Sequence, residues 1–172
     1  MGPHIHFRIA NGKALQALQR FIARMAEAKK GGSFPPDEEL RQYFDQSALS
    51  YFFEPSAAEL KEWEEEWFST PVDKRHADPA LQPPWNFGSM VDAFANGEFE
   101  LVGVEAKGEE GLLEFRPLAH PYGGPGCIIA AAEAFGHAVI GVDDGSGYRP
   151  YNKPTVYWKP KAKRHAGFNG AL

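Results

Sequence analysis

Residue types that can build a nucleophilic site occur close together in the C-terminal half of the sequence. Cys127 follows a glycine-rich loop at the start of a helical pattern, and His120 lies seven residues upstream on that loop. Asp143 and Asp144 follow the next strand-like run. A cysteine, a histidine and an aspartate can act as nucleophile, general base and orienting group. A position in the first turn of a helix also lowers the pKa of a thiol, because helix dipole and free N–H groups favour the thiolate.

The same residues have a simpler structural interpretation. Two isoleucines follow Cys127 and the helical pattern is apolar on most sides, so we expect the thiol to be buried and inert. Asp143 or Asp144 can accept hydrogen bonds from backbone N–H groups, and the nearby glycines can simply shape a turn. Because a catalytic triad is defined by geometry, the sequence assigns no catalytic residue. The candidates are His120, Cys127, Asp143 and Asp144.

The glycine-rich loop offers a second kind of site. Its sequence HPYGGPG lacks the lysine of a P-loop, and a glycine pattern before a helix is weak evidence for phosphate recognition. Its amides could hold an anion, although the nearby aspartates disfavour a highly charged one. A structural turn is the favoured interpretation. The ligand-binding candidates are Tyr122, Gly123, Gly124, Gly126 and Tyr148.

A β-α-β crossover is expected to position these residues. A strand over 99–105 and its hairpin partner over 111–116 precede a helix over 125–135. The apolar run 138–142 then has no polar face, which is typical of a buried central strand. A crossover of this kind makes the strands on either side of the helix parallel.

The two loops that follow these parallel strands should lie at one edge of the sheet. The loop 118–124 and the loop 143–148 would flank the start of the helix, where ligands of open α/β sheets bind. A carboxylate near a helix N-terminus is stabilised as an anion. We therefore expect at least one of Asp143 and Asp144 to have a depressed pKa.

The chain opens with a strictly alternating stretch, residues 4–9. Ile5 and Phe7 would pack on a core while His4 and His6 share the other face, which predicts an edge strand. The two histidines are within reach of one metal ion, but a metal site needs three or four convergent ligands and none lies nearby at ligand spacing. The sequence predicts no metal site and no cofactor.

Helical patterns follow over 13–29, from Pro35 onward, and over 57–68. The last of these carries tryptophans one turn apart and glutamates on the other side, so we expect one face to pack in the core. The residues of that expected core face are Leu60, Trp63 and Trp67. The proline-rich stretch 69–84 is the longest predicted loop, of a length that is often functional or mobile.

Together these elements predict an α+β fold with a mixed sheet of four to five strands. The edge strand and the helical half span 4–96, and the sheet-forming half spans 98–158, with a last strand over 155–158. Residues 159–172 form a basic, partly disordered tail. A length of 172 residues favours a single domain.

Charge is unevenly distributed along this chain. The net charge is −5, but residues 31–66 contain ten acidic and two basic residues, whereas residues 149–172 contain six basic residues and no acidic one. The acidic block argues against nucleic-acid binding. A single cysteine excludes an intrachain disulfide and favours a cytoplasmic location, and no apolar run is long enough to cross a membrane.

Acidic and aromatic residues concentrate in the helical half. Aromatic residues are enriched in protein interfaces, and an acidic surface speeds association with a basic partner. The sequence therefore favours a non-enzymatic macromolecule-binding module, comparable in its logic to acidic immunity or inhibitor proteins that bind a basic protein. The alternative is a small cysteine-dependent enzyme or small-molecule binder that uses the Cys127 edge. The partner-surface candidates are Glu62, Glu65, Glu66 and Trp85, and the oligomeric state is left open.

Overall fold

A five-stranded sheet and eight helices make up the part of the chain that the structure describes. The computed structural model describes residues 1–164. The strands are β1 (His4–Arg8), β2 (Phe99–Lys107), β3 (Glu110–Pro117), β4 (Ala138–Asp143) and β5 (Tyr148–Pro150). The helices are α1 (Gly12–Gly31), α2 (Asp37–Arg41), α3 (Gln46–Leu49), α4 (Ala57–Ser69), α5 (Val72–Arg75), α6 (Phe87–Asn96), α7 (Gly126–Ala134) and α8 (Lys161–Arg164).

The chain divides into two compact units. The first consists of Met1–Phe52 and Trp85–Lys153 and contains the whole sheet. The second consists of Phe53–Pro84 and, in the described part of the chain, the segment 154–164. The expectation that the chain forms one domain stays a prediction.

The first strand lies inside the sheet and not at its edge. The strand order is β2-β3-β1-β4-β5, and β1 pairs antiparallel with both β3 and β4. The prediction of an edge strand is therefore wrong. Strict alternation shows that one face of a strand is covered and the other is open, but it does not show whether both sides of the strand have hydrogen-bonded neighbours.

The predicted crossover is present, with β1 between its two strands. Since β3 and β4 are both antiparallel to β1, they run parallel to each other on either side of it, and α7 connects them. The α+β class, the β2–β3 hairpin and the five-strand count are confirmed. The sheet expected to be mixed is antiparallel between all hydrogen-bonded neighbours in residues 1–164.

The last strand differs from the prediction. Residues 155–158 form no strand, although their β-branched and aromatic residues favour one. Trp158 is buried instead, and its backbone N–H donates to the carbonyl of Gln82 at 2.8 Å. The fifth strand is formed earlier, where the glycine-rich turn after β4 lets Tyr148 pair with Asp143.

An aromatic cluster packs the helices of the first unit against one another. At its centre is Phe44, which follows α2 and is buried. Its ring lies 4.3 Å from that of Phe135 and 4.9 Å from that of Phe21, measured between centroids. It also meets Phe52 and Phe87 edge-on. Aromatic pairs in these arrangements add stability beyond the area they bury.

The second unit is built differently, because α4 has no buried residue. Trp63 and Trp67 are half-buried, and Leu60 is 44 % exposed. The expectation that these three residues form a core face is therefore wrong. Short segments pack on the two tryptophans: the Trp63 indole N–H donates to the carbonyl of Leu81 at 2.9 Å, and the Trp67 ring lies 5.1 Å from that of His76.

We predict that Phe44→Ala destabilises the protein by about 3–5 kcal/mol, since it leaves a cavity amid four aromatic rings. Near-UV circular dichroism during urea denaturation measures the change. The matched control is Phe68→Ala, at a residue that is 71 % exposed, for which we expect less than about 0.5 kcal/mol. Equal losses for the two variants would contradict the assignment of the core.

Candidate functional site

The thiol of Cys127 lies at the start of α7 and is 2 % exposed. Burial raises its pKa to about 12, an effect larger than that of the backbone hydrogen bonds that favour the thiolate. The thiol is therefore protonated at neutral pH, and the expectation that it is buried is confirmed. The cause is visible in the sequence of α7, because a helix that is apolar on most sides packs as a buried helix.

The other three catalytic candidates each have a partner other than the thiol. His120 is exposed, and its ring packs edge-on against Tyr122 with 5.8 Å between centroids. Asp143 accepts from the backbone N–H of Gly145 at 2.9 Å, within its own loop. Asp144 forms an ion pair with Arg149. A buried thiol, an exposed imidazole and two loop-bound carboxylates do not form the arrangement that nucleophilic catalysis requires.

The two loops of the predicted edge do meet. The Tyr122 hydroxyl donates to the backbone carbonyl of Asp144 at 3.3 Å, which joins the loop after β3 to the loop after β4. Tyr122 is itself buried against the rings of Phe99 and Phe115. The geometric expectation was thus correct, but the contact it produces is a structural one.

The remaining ligand-binding candidates also have structural contacts. Gly123 and Gly124 have φ angles of 93° and 79°, in the left-handed region that favours glycine. A Cβ on Gly126 would lie 3.1 Å from the Trp85 ring. Trp85 is half-buried against the hydrophobic core, so this partner-surface candidate is not a free surface residue.

Asp144 has the depressed pKa that was expected of at least one of the two aspartates. Its carboxylate accepts from the Ser146 hydroxyl at 2.6 Å and from the Ser146 backbone N–H at 3.1 Å. These bonds and the charge of Arg149 lower its pKa. The physical cause therefore differs from the expected one, because it is the loop and not the start of α7 that stabilises the anion.

The two histidines of β1, His4 and His6, have separate hydrogen-bond partners. His4 bonds the carbonyl of Gly2 through Nδ1 at 2.8 Å and is buried under Tyr148. His6 lies between two groups, with Nδ1 3.0 Å from the Tyr148 hydroxyl and Nε2 2.9 Å from the Glu110 carboxylate. Among residues 1–164, no group of three or more His, Cys, Asp or Glu side chains is placed to hold a metal ion.

A cavity of about 640 Å³ lies elsewhere in the first unit, between the C-terminal ends of α1 and α6 and the start of β2. Two lysines, Lys29 and Lys30, are among its lining residues, and the Lys29 ammonium donates to the carbonyls of Phe94 and Gly97, each at 2.7 Å. Since these carbonyls end α6, Lys29 acts as a helix cap. The lining contains none of the four catalytic candidates.

One acidic face of α4 contacts residues 161–164 of the same chain, which we call the basic segment. Glu59, Glu62 and Glu66 follow one another at spacings of three and four, so they share a side of the helix, and we call them the acidic row. The Lys163 ammonium lies 2.8 Å from Glu59, the backbone N–H of Lys161 donates to Glu62 at 2.7 Å, and Arg164 forms an ion pair with Glu66. Two of the partner-surface candidates, Glu62 and Glu66, are therefore engaged within the second unit.

The solvent face of α4 is both acidic and apolar. Leu60, Glu64 and Phe68 are spaced by four residues and form one stripe, and Phe68 is 71 % exposed. Val72, at the start of α5, is 67 % exposed. Glu65, the third glutamate candidate, is exposed beside this stripe. We call Leu60, Glu64, Glu65 and Phe68 the solvent face of α4.

Comparisons with known proteins suggest no function for this chain. No family model, no curated protein and no solved structure matches the chain. Within residues 1–164, each helix is too short or too polar to cross a membrane.

We predict that Cys127 reacts slowly with a thiol reagent in the folded protein at neutral pH, since its thiol is buried and protonated. The rate measured with 5,5′-dithiobis(2-nitrobenzoic acid) should be far below that of the same protein unfolded in urea. Equal rates in the two states would mean that the thiol is accessible.

Asp144→Asn is expected to destabilise the protein by up to about 1 kcal/mol at pH 7, a small effect because the carboxylate is solvent-accessible. The folded pKa lies below the unfolded value of about 3.9, so this stabilisation is present above that value and is lost as the pH falls through the folded pKa. Unfolding free energies of parent and variant, measured from pH 7 down to pH 2.5, should converge. A difference that stays constant over this range would contradict the assignment.

Proposed function

We propose that this protein is a cytoplasmic, non-enzymatic binding module that recognises a basic protein partner through α4, in the manner of an acidic immunity or inhibitor protein. The observation that carries the proposal is the exposure of Phe68 on a helix with five glutamates and one lysine. A large aromatic side chain in contact with water gains free energy when a partner covers it. Exposed apolar side chains with polar groups around them are the usual composition of an interaction surface.

The charge of the helix specifies the partner. Glu64 lies in the stripe between Leu60 and Phe68, Glu65 lies beside it, and Lys61 is the only basic residue of α4. Carboxylates around an apolar centre attract a basic protein over a distance and repel an acidic one. The same charges disfavour phosphate groups, so a protein partner fits this surface better than a nucleic acid.

Contacts within the second unit support an interaction of the cation–aromatic kind with a basic partner. The Arg75 guanidinium lies 5.7 Å from the centre of the Phe68 ring and 5.6 Å from that of Trp67. Cations bind aromatic faces in this way, and arginine does so more often than lysine. An arginine of the partner would find the open side of Phe68 and a carboxylate of Glu64 or Glu65 within one helical turn.

The enzymatic alternative has weaker support. It requires a reactive thiol, and burial raises the pKa of Cys127 to about 12. It also requires a general base near the sulfur, whereas His120 is exposed and packs on Tyr122. No observation on this edge therefore favours a second candidate function.

Site-specific photocrosslinking tests the proposal. A benzoylphenylalanine at position 68 is expected to form an adduct with a protein of high isoelectric point in cells that express this chain. The matched control is the same probe at Val102, which is 60 % exposed on β2 in the first unit. Mass spectrometry identifies the adducts.

Substitutions that remove the charge of two glutamates provide a second test. Glu64→Gln with Glu65→Gln should reduce the yield of the position-68 adduct several-fold, and the yield should fall as salt is added. Identical adducts from positions 68 and 102, or none from position 68, would overturn the proposal. An adduct that is unaffected by the glutamate substitutions would show that the partner is not selected by charge.

A further inference from the structure

We infer that the acidic row of α4 is a recognition surface for a short segment rich in lysine and arginine, and that residues 161–164 of the chain occupy it until such a segment displaces them. The inference rests on the proposed function in one respect, since it takes the basic partner as the source of the displacing segment. Occupation by the chain's own segment is a separate statement with a test of its own.

The contacts match the acidic row position by position. Glu59, Glu62 and Glu66 span two turns of one side of α4, and each meets a different group of the basic segment. Two of these groups are side-chain cations and the third is a backbone N–H in the first turn of α8. The Glu62 carboxylate thus satisfies a backbone N–H that has no partner within the turn itself.

Hydrogen bonds within residues 159–164 also hold the basic segment in the conformation that makes this contact. The Lys163 N–H donates to the carbonyl of Pro160 at 2.9 Å, and the Arg164 guanidinium donates to the carbonyl of Lys159 at 2.7 Å. A single helical turn after a proline thus presents Lys163 and Arg164 to the row. The chemistry selected by the row is therefore a proline followed by a one-turn helix with consecutive basic residues.

This contact is of a kind that a partner can replace. Lys163 and Arg164 are exposed at the surface, and exposed ion pairs contribute little to stability and weaken as salt is added. A segment attached to the same chain nevertheless has a high effective concentration at the row. Covalent attachment therefore keeps the row occupied, while a partner that also covers Phe68 has additional contacts with which to compete.

Proteolysis measures the occupation without any partner. Trypsin cleaves after lysine and arginine, so a bound segment should be cleaved more slowly than a released one. We expect Glu59→Gln with Glu66→Gln to raise the initial cleavage rate after Lys161, Lys163 and Arg164 about three- to tenfold at 50 mM NaCl. The amide introduced by Glu59→Gln keeps a side-chain oxygen for the capping box with Ser56, so the start of α4 is preserved.

The matched control carries the same change in charge on the same helix. Glu64→Gln with Glu65→Gln alters two glutamates outside the row and should leave the cleavage rate unchanged. Addition of 500 mM NaCl should raise the parent's rate to that of the row variant, after correction with an unstructured reference peptide. Equal rates for the parent, the row variant and the control variant would overturn the inference.

Binding of a free probe measures the displacement. The probe is a fluorescein-labelled peptide with the sequence of residues 154–164, and its affinity is measured by fluorescence anisotropy. Lys163→Ala with Arg164→Ala should increase the affinity of the protein for the probe about three- to tenfold, since the internal competitor is weakened. Adding Glu59→Gln and Glu66→Gln to that variant should abolish the gain.

The two proposals fail in different ways. If no basic partner crosslinks at position 68, the proposed function fails while the cleavage and probe results still decide whether the row binds a basic segment. A probe affinity that is the same with and without Lys163 and Arg164 would overturn the inference, whatever the crosslinks at position 68 show.

Discussion

The architecture of the first unit depends on the insertion of β1 between β3 and β4. These two strands are joined by α7 and run parallel, but each is hydrogen-bonded to β1 and not to the other. One intervening strand places them about 10 Å apart, a separation that α7 and its two loops bridge. The insertion also requires a small residue opposite Phe7, because a Cβ on Gly111 would lie 2.3 Å from the Phe7 ring. The N-terminal strand therefore ties together segments that are more than a hundred residues away from it in sequence.

The buried character of α7 follows from this arrangement. Four alanines on this helix are buried, which lets it lie close to the sheet, and Cys127 is covered in the same packing. The edge at which ligands bind in many α/β sheets is filled here by the chain itself, since Tyr122 lies under the loop and bonds the carbonyl of Asp144. The edge that has the topology of a ligand site therefore has a structural role in this protein. Asp144 stabilises a turn there, Asp143 lies at the end of a strand, and Cys127 is packed in a buried helix.

In the second unit, by contrast, the helix α4 is sparsely packed and strongly charged. It buries no residue and has five glutamates. Its half-buried tryptophans contact short segments: Trp63 donates to the carbonyl of Leu81, and the Trp67 ring packs on that of His76. A helix with so little packing has two surfaces left for other purposes, one that is acidic and carries its own basic segment, and one that exposes Phe68. Aromatic packing is concentrated around Phe44, whereas the surface that we propose for recognition lies where packing is sparse.

The sequence by itself determined the elements and their local chemistry. Helical periodicity located α1, α4 and α7, and the apolar residues around Cys127 indicated a buried thiol. These signals are local, because each depends on residues within a few turns of one another. Only the tertiary structure decided that β1 is central, that Leu60 and Phe68 are exposed, and that His6 meets Glu110 and Tyr148. Periodicity states which side of an element is apolar but not what covers it, and a hydrogen bond between residues a hundred positions apart leaves no mark in either local sequence.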